Sequence, residues 1–265
     1  MAQKGFNIFI VSRSEAKLGV VAKEIKAEIS DPKFEVKTFP LDFAKADQRD
    51  YNRLRAVLHD VDVHILINNV GMGHVHPQYF YEENEDIMEA MIKVNALAAI
   101  KMTKLIIPQM VTRASGMILN IGSFAGSSPT PFLQGTHDDD NEIHLSHHIA
   151  IVYSGTKGFL SNWSISLGAE LKEKGIHVEL LNTYFVATNL SKIKRTSWLR
   201  PSPASFVAAA LKSVGYDLFN TPFPSQDIYY NLMKLLPPSI LLKITTDAMA
   251  AGRSKALARQ SSKSD

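Results

Sequence analysis

A chain of 265 residues with 45% apolar composition is long enough for one large α/β domain with a well-buried core. Its 29 basic against 26 acidic residues leave a net charge of +3, spread along the chain and too mild to imply nucleic acid as a partner. The absence of cysteine excludes a disulfide scaffold, a zinc–thiolate site and a cysteine nucleophile together, and leaves the redox compartment open.

The opening residues, MAQKGFNIFIVSRS, hold no apolar run of secretory length and no small-residue cleavage site, so no signal peptide is expected. Short β-rich runs follow at 7–11, 34–39, 64–67, 117–121 and 177–181, and they alternate with helical stretches at 15–29, 48–58, 85–109, 153–174 and 205–214. That alternation predicts a doubly wound parallel sheet of the Rossmann-like α/β class, joined by right-handed crossovers. No internal repeat or linker divides the chain, so residues 1–265 read as one domain, with 225–265 as a C-terminal substrate-side segment and tail. The longest apolar stretch, 228–244, is interrupted by Lys234 and the pair Pro237-Pro238 and is short for a bilayer span. It reads as core or lid, with a membrane-surface or acyl-chain-facing segment as the alternative.

Four strand ends and two helices carry the residues of chemical interest. Tyr153 and Lys157 stand one helical turn apart in YSGTK, which puts a phenol and an ammonium on one face. A lysine cation there would lower the tyrosine pKa toward the working range and let Tyr153 exchange a proton with a ketone oxygen. Taken alone, this spacing is common on helices and suits a solvated pair equally well. Ser123, in LNIGSFAG, falls at the carboxyl end of a strand, where open α/β sheets place their ligands. Asn95, in KVNALA, is polar on an otherwise apolar helix face and needs a buried partner. Asn69 and Gly71, in NNVG, end another strand. Asp42, in PLDF, is placed to accept from an adenine amino group. Arg13, in VSRS, is placed to pair with the 2′-phosphate of NADP.

The set VSRS, PLDF, NNVG, VNALA, IGS, YSGTK and Val186-Ala187-Thr188, in this order, resembles the classical short-chain dehydrogenase/reductase family across nearly the whole chain. Within it, NNVG, SFAGSSPTP, LNTYFVATNLSKI, RPSPASFVAAALKSVG and PFPSQDIYYNLMKLLP are similar to the microsomal very-long-chain 3-oxoacyl-CoA reductases of fatty-acid elongation, relatives of the 17β-hydroxysteroid dehydrogenases. The resemblance implies NADPH as cofactor and a very-long-chain 3-oxoacyl-CoA as substrate. It further implies other elongation enzymes as partners, membrane association, and residence in the endoplasmic reticulum membrane. Carried over by residue, it makes Tyr153 the proton donor and Lys157 its electrostatic partner, both also touching the cofactor. Ser123 would orient the carbonyl, and Asn95 would anchor a relay water. Asp42, Asp50, Asn69, Val186 and Thr188 would contact the cofactor, and Arg13 would set the preference for NADPH. A 17β-hydroxysteroid-type dehydrogenase is the rival chemistry.

Two departures from the family pattern stand out. A first strand and a glycine-rich turn, TGxxxGxG, normally precede the helix whose end Met1 to Gly5 resembles, and those glycines meet the cofactor pyrophosphate. This predicts weak NADPH binding and low stability for the chain as written, and admits a truncated, non-catalytic remnant as a further reading. Ser123 and Tyr153 also stand 30 positions apart where the family has about a dozen, the excess falling at 134–150 in a His/Asp-rich segment. A retained intron is the leading explanation and a natural surface loop the next. A metal site from His137, Asp138, Asp139, Asp140, His144, His147 and His148 is the third, without diagnostic spacing; no metal is expected.

Overall fold

The structure is a computed structural model that describes residues 1–73, 80–127, 136–137, 143–144, 151–188, 190–191 and 193–243. Its contacts divide the chain into two compact units, 1–62 and 63–265. The reason lies in the strands. Among the described residues β1 (Ile8–Ser12) pairs in parallel only with β2 (Val36–Pro40), whereas β3 (Ile65–Asn68), β4 (Gly116–Ile121), β5 (Ile176–Leu181) and β6 (Phe219–Asn220) form a separate parallel sheet in that order. All pairings within both sheets are parallel, as the alternating pattern required.

In the first unit, α1 (Glu15–Ala27) starts where the Ser14 hydroxyl accepts from the Lys17 amide, and α2 (Gln48–Leu58) starts at a reciprocal cap. There the Asp47 carboxylate accepts from Asp50 N–H while Asp50 Oδ2 accepts from Asp47 N–H, which satisfies two orphan donors of the first turn. Tyr51, Leu54 and Leu58 then recur at helical spacing and are buried, as are Leu18, Phe39, Leu41 and Phe43 of the same unit.

The second unit carries the longer helices. α3 (Glu85–Ile92) and α4 (Ala98–Thr112) form one rod interrupted by a π-helical turn at Lys93–Leu97, and α5 (Ile151–Leu171) lies against β5. On α5 the stripe Leu160, Ser164, Gly168 and Leu171 faces the sheet. A side chain at Gly168 would meet Leu218 and the Val178 carbonyl, so the missing Cβ is what lets the helix lie this close. Two short elements were not anticipated as such: β6, and α7 (Pro224–Lys234), which opens the segment read as substrate-side. α6 (Pro203–Ser213) packs Phe206 and Ala210 on Leu181. The buried Glu179 is fully engaged, accepting from Gly215 N–H and Asn220 Nδ2 and pairing with His177.

The segment at 134–150 lies outside the described residues, apart from a two-residue antiparallel ladder between Thr136–His137 and Ile143–His144. Residues 244–265 lie outside as well. Among the described residues no helix is long and apolar enough to cross a membrane.

One close approach positions everything that follows. A Cβ at Gly126 would fall 2.4 Å from the Lys157 carbonyl carbon, 2.5 Å from its oxygen and 2.7 Å from the Gly158 nitrogen. These are backbone atoms and cannot swing aside. Gly126→Ala is therefore expected to destabilise by at least about 2 kcal/mol in urea denaturation. An unchanged midpoint would show that the turn after β4 does not rest on α5.

Candidate active site

The carboxyl ends of β4 and β5 are laced together past the last ladder pair. Gly122 N–H donates to Leu181 O at 2.9 Å, Phe124 N–H to Thr183 O at 2.9 Å, and the Thr183 hydroxyl to Gly122 O at 3.1 Å. Ser123, between them, is in extended backbone, and its hydroxyl oxygen accepts from the Ala125 amide at 3.3 Å to start a single 3₁₀ turn, Phe124–Gly126. That turn is the one pressed against Lys157. The serine hydroxyl is thereby aimed at the first turns of α5, where it hydrogen-bonds the Tyr153 phenol.

Lys157 is buried, and its ammonium donates to Ile121 O, the last carbonyl of β4, at 2.8 Å. Its nitrogen lies 5.8 Å from the centroid of the Tyr153 ring. Burial pushes Lys157 down to about 8 from its usual 10.5. For Tyr153 the expectation was a lowered pKa, and the structure corrects it. Burial pushes this phenol up, with the Ser123 hydrogen bond opposing only in part. The lysine charge is directed at a carbonyl and not at the phenolic oxygen, so desolvation wins.

Asn95 sits inside the π-turn with both ends of its amide in use. Oδ1 accepts from Met72 N–H at 2.7 Å, and Nδ2 donates to Met72 O at 2.9 Å and to the Thr156 hydroxyl at 3.2 Å. Thr156 in turn donates to Tyr153 O at 2.7 Å. The side chain foreseen as a water anchor is thus a clamp, holding the backbone after β3 to the helix that bears Tyr153. Position 73 comes to rest beside the ring, a Cβ there falling 4.0 Å from Tyr153 Cδ2. π-turns of this kind concentrate at functional sites because they re-aim side chains that a regular helix would point elsewhere.

The other expected residues are placed within their own units as follows. Asn69 is exposed just past β3. Val186 and Thr188 lie in the loop after β5. There Ser191 donates to Val186 O at 2.6 Å and accepts from Thr188 N–H at 3.1 Å, and Val186 packs against Leu181 and Phe206. In the first unit, Arg13 is exposed beyond β1. Asp42 uses Oδ1 to accept from Ala44 N–H, which tightens the turn after β2. Asp50, expected at the cofactor, accepts from Asp47 N–H in the α2 cap and makes a 3.5 Å contact with Arg53.

Sequence reasoning missed Thr156 and the network beneath the site. Asn68 Nδ2 donates to Asn120 Oδ1 at 2.8 Å and to the Thr103 hydroxyl at 3.3 Å, and Asn120 Nδ2 donates to the Ser164 hydroxyl at 2.8 Å. The signal for Thr156 was its place three residues after Tyr153. Asn120 showed only as a polar residue in an apolar strand. Next to Ser123, Phe124 packs with Tyr184, Tyr229 and Tyr230, ring centroids 5.0–6.4 Å away. Gln226 of α7 pins this cluster, accepting from Tyr184 N–H and donating to Phe185 O and Leu199 O.

The depressed Lys157 pKa has a thermodynamic consequence. Below pH 8 the lysine is charged in the folded and unfolded chain alike, and the folded chain bears the full desolvation cost, roughly 3 kcal/mol. Between pH 8 and 10.5 only the unfolded chain keeps the proton, so stability climbs with pH across that window. Tyr153, raised, subtracts stability only above its unfolded value of 10. Urea titrations from pH 7 to 10 are expected to show the climb in wild type and its loss in Lys157→Met, which should be the more stable protein at pH 7. A flat wild-type profile would contradict the buried ammonium.

Comparison with known proteins places the chain in a family. A family model described as short chain dehydrogenase matches residues 1–135. Very-long-chain 3-oxoacyl-CoA reductases from Mycosarcoma maydis and Neurospora crassa are 40% and 42% identical over 97% and 85% of this chain. The chain spans 70% of the first relative's length and 62% of the second's. Among solved structures, a 7β-hydroxysteroid dehydrogenase superposes with a TM-score of 0.74 at 18% identity, covering 91% of this chain and 88% of that one. A short-chain dehydrogenase from Sphingobium yanoikuyae in complex with NADPH gives 0.66 at 23% identity, covering 89% of each. Those two likenesses establish the parallel α/β Rossmann-like fold. With tyrosine, lysine and serine gathered at the carboxyl rim of that sheet, and with this degree of identity, the chain belongs to the short-chain dehydrogenase family.

Proposed function

We propose that the chain is the catalytic portion of an NADPH-dependent reductase that converts very-long-chain 3-oxoacyl-CoA to the 3-hydroxyacyl-CoA in fatty-acid elongation. The convergence of Tyr153, Lys157 and Ser123 at one rim is the observation that carries the reading, and the names of the relatives at about 40% identity supply the substrate class.

The residues present suit a nicotinamide cofactor. Lys157 has three ammonium protons and Ile121 O takes one, so a buried cation remains able to donate to ribose hydroxyls. Asn69, Val186 and Thr188 stand at the same carboxyl rim of the second unit, and Arg13 and Asp42 at that of the first. When bound, such a cofactor supplies the hydride. The chain's part is to hold and release a proton. Ser123 donates to the substrate ketone oxygen and fixes the carbonyl near the phenol, while Tyr153, protonated at neutral pH as any phenol is, delivers its proton as negative charge develops there. Lys157 then faces a phenolate within reach of its charge, and the attraction that was absent in the resting pair appears in the transition state.

The endoplasmic reticulum membrane as location, and other elongation enzymes as partners, complete the proposal on the strength of the resemblance. Fractionation of cells carrying a tagged copy tests the first.

Assay at NADPH concentrations high enough to offset the weak binding expected without the glycine-rich turn should show turnover of a very-long-chain 3-oxoacyl-CoA and none of a 17-oxosteroid. Tyr153→Phe should reduce kcat by a factor of about 10² or more. Retention of wild-type rate by that variant would overturn the assignment. Arg13→Glu should shift the kcat/KM ratio from NADPH toward NADH by about tenfold or more, because a carboxylate repels the 2′-phosphate that a guanidinium pairs with. An unchanged ratio would remove Arg13 from cofactor choice.

A further inference from the structure

The loop after β5 and the helix following it have a charge composition unlike the rest of the chain. Residues 180–216 contain five basic side chains and no acidic one, a local charge of +5 in a protein whose total is +3. Within this stretch the backbone makes a tight turn. Ser197 N–H donates to Arg200 O at 2.9 Å, and Arg200 N–H donates back to Ser197 O at 3.1 Å. The turn is held from below at several points. Ser225 donates to Trp198 O, Gln226 to Leu199 O and Ala187 N–H to Pro201 O, and Leu199 packs into the aromatic cluster around Phe124.

On this anchored turn Trp198 points outward and is 69% exposed, with Lys194 and Arg195 exposed nearby in sequence and Arg200 bonding Ser197 Oγ through Nε at 3.2 Å. An indole contributes most to a fold when buried, and this one contributes little. The backbone beneath it is nonetheless fixed by both of its carbonyl neighbours. A rigid turn presenting an exposed indole among cations has its ordering cost met before any ligand arrives. Flat aromatic surface stacks nucleobases, and guanidinium and ammonium groups pair with phosphates. The same loop begins with Val186 and Thr188 at the rim that holds Ser123, so a ligand reaching from this turn reaches the site.

We propose that the turn at 197–200, with Lys194, Trp198 and Arg200, receives the adenosine 3′-phosphate 5′-diphosphate head of the coenzyme A thioester. The adenine stacks on Trp198, the phosphates meet Lys194 and Arg200, and the pantetheine arm runs along the loop toward Ser123. This deepens the reductase reading and rests on it for the acyl part alone.

The test is binding of coenzyme A itself, which has no ketone, to the full chain, followed by calorimetry and by tryptophan emission. The chain has two tryptophans, and Trp163 is half-buried and stacked on Phe159, so Trp198 supplies the exposed signal. Saturable binding is expected, weakened about tenfold by Trp198→Ala and by Lys194→Glu, and weaker for dephospho-coenzyme A than for coenzyme A. Circular dichroism of these two surface variants should match wild type. Absence of binding, or binding indifferent to both substitutions, overturns the proposal. So does a blue shift of Trp198 emission with phosphatidylserine vesicles in a chain that ignores coenzyme A, which would assign the turn to a lipid surface. Failure of the reductase reading is separately visible. A 3-oxoacyl N-acetylcysteamine thioester lacks the nucleotide, so its reduction by NADPH reports on Tyr153 chemistry whether or not the turn binds coenzyme A.

Discussion

The site depends on an ammonium group kept out of water. Lys157 donates a hydrogen bond to the last carbonyl of β4, a group that at a strand end would otherwise face the rim unpaired. Two residues later the same strand delivers Ser123, so one hydrogen bond ties the helix bearing the phenol to the strand bearing the hydroxyl. The contact at Gly126 makes that tie short, because the backbone of the turn rests on the Lys157 carbonyl with no side chain between. The desolvation cost of the cation, roughly 3 kcal/mol from its depressed pKa, falls on a group held by its hydrogen bond to Ile121 O beside the Tyr153 ring.

Buried amides do the remaining positioning, each with a different load. Asn95 spans three elements, joining the backbone after β3, the π-turn and α5, while Asn68 and Asn120 run a second chain of bonds through Thr103 and Ser164 below it. In a low-dielectric interior such bonds are strong when complete and costly when broken. The first network therefore sets where Tyr153 stands, and the second sets how β3, β4, α4 and α5 meet. Gln226 extends the same device to α7, where one amide holds the loop after β5 at Tyr184, Phe185 and Leu199.

The parts of this structure legible in the sequence are those with a local cause. Helical patterning located α2 to the residue, and the alternation of β-rich and helical runs gave the parallel sheets. Tyr153, Lys157 and Ser123 could be named because their spacing and strand-end positions follow from the chain itself. What could not be read is what three-dimensional packing decides. Asp50 looks equally suited to a cofactor or a cap until Asp47 is seen to reciprocate. Asn95 signals the need for a partner without disclosing that Met72 supplies both halves of it. β6 is two residues long and β-competent only because β5 is beside it. The shift of Tyr153 was misjudged in direction, since neighbouring charge is visible in a motif and burial is not.

That upward shift bears on which direction of chemistry the site favours. A phenol with a lowered pKa would serve as a base and draw a proton from an alcohol; one with a raised pKa holds its proton and yields it only to a stronger base. A ketone oxygen acquiring hydride becomes such a base, since an alkoxide is far more basic than any phenolate. Proton transfer then converts a buried neutral phenol into a buried anion, and the cation that compensates it is already in place at Lys157. The same ammonium, pushed down to about 8, is the member of the pair most easily lost as pH rises. With it gone, the phenolate would have no counter-charge, and donation by Tyr153 would become unfavourable while the phenol itself was still protonated. Under the proposed reduction the pair suits proton donation near neutrality, with the lysine, pushed down to about 8, losing its charge before the raised phenol loses its proton.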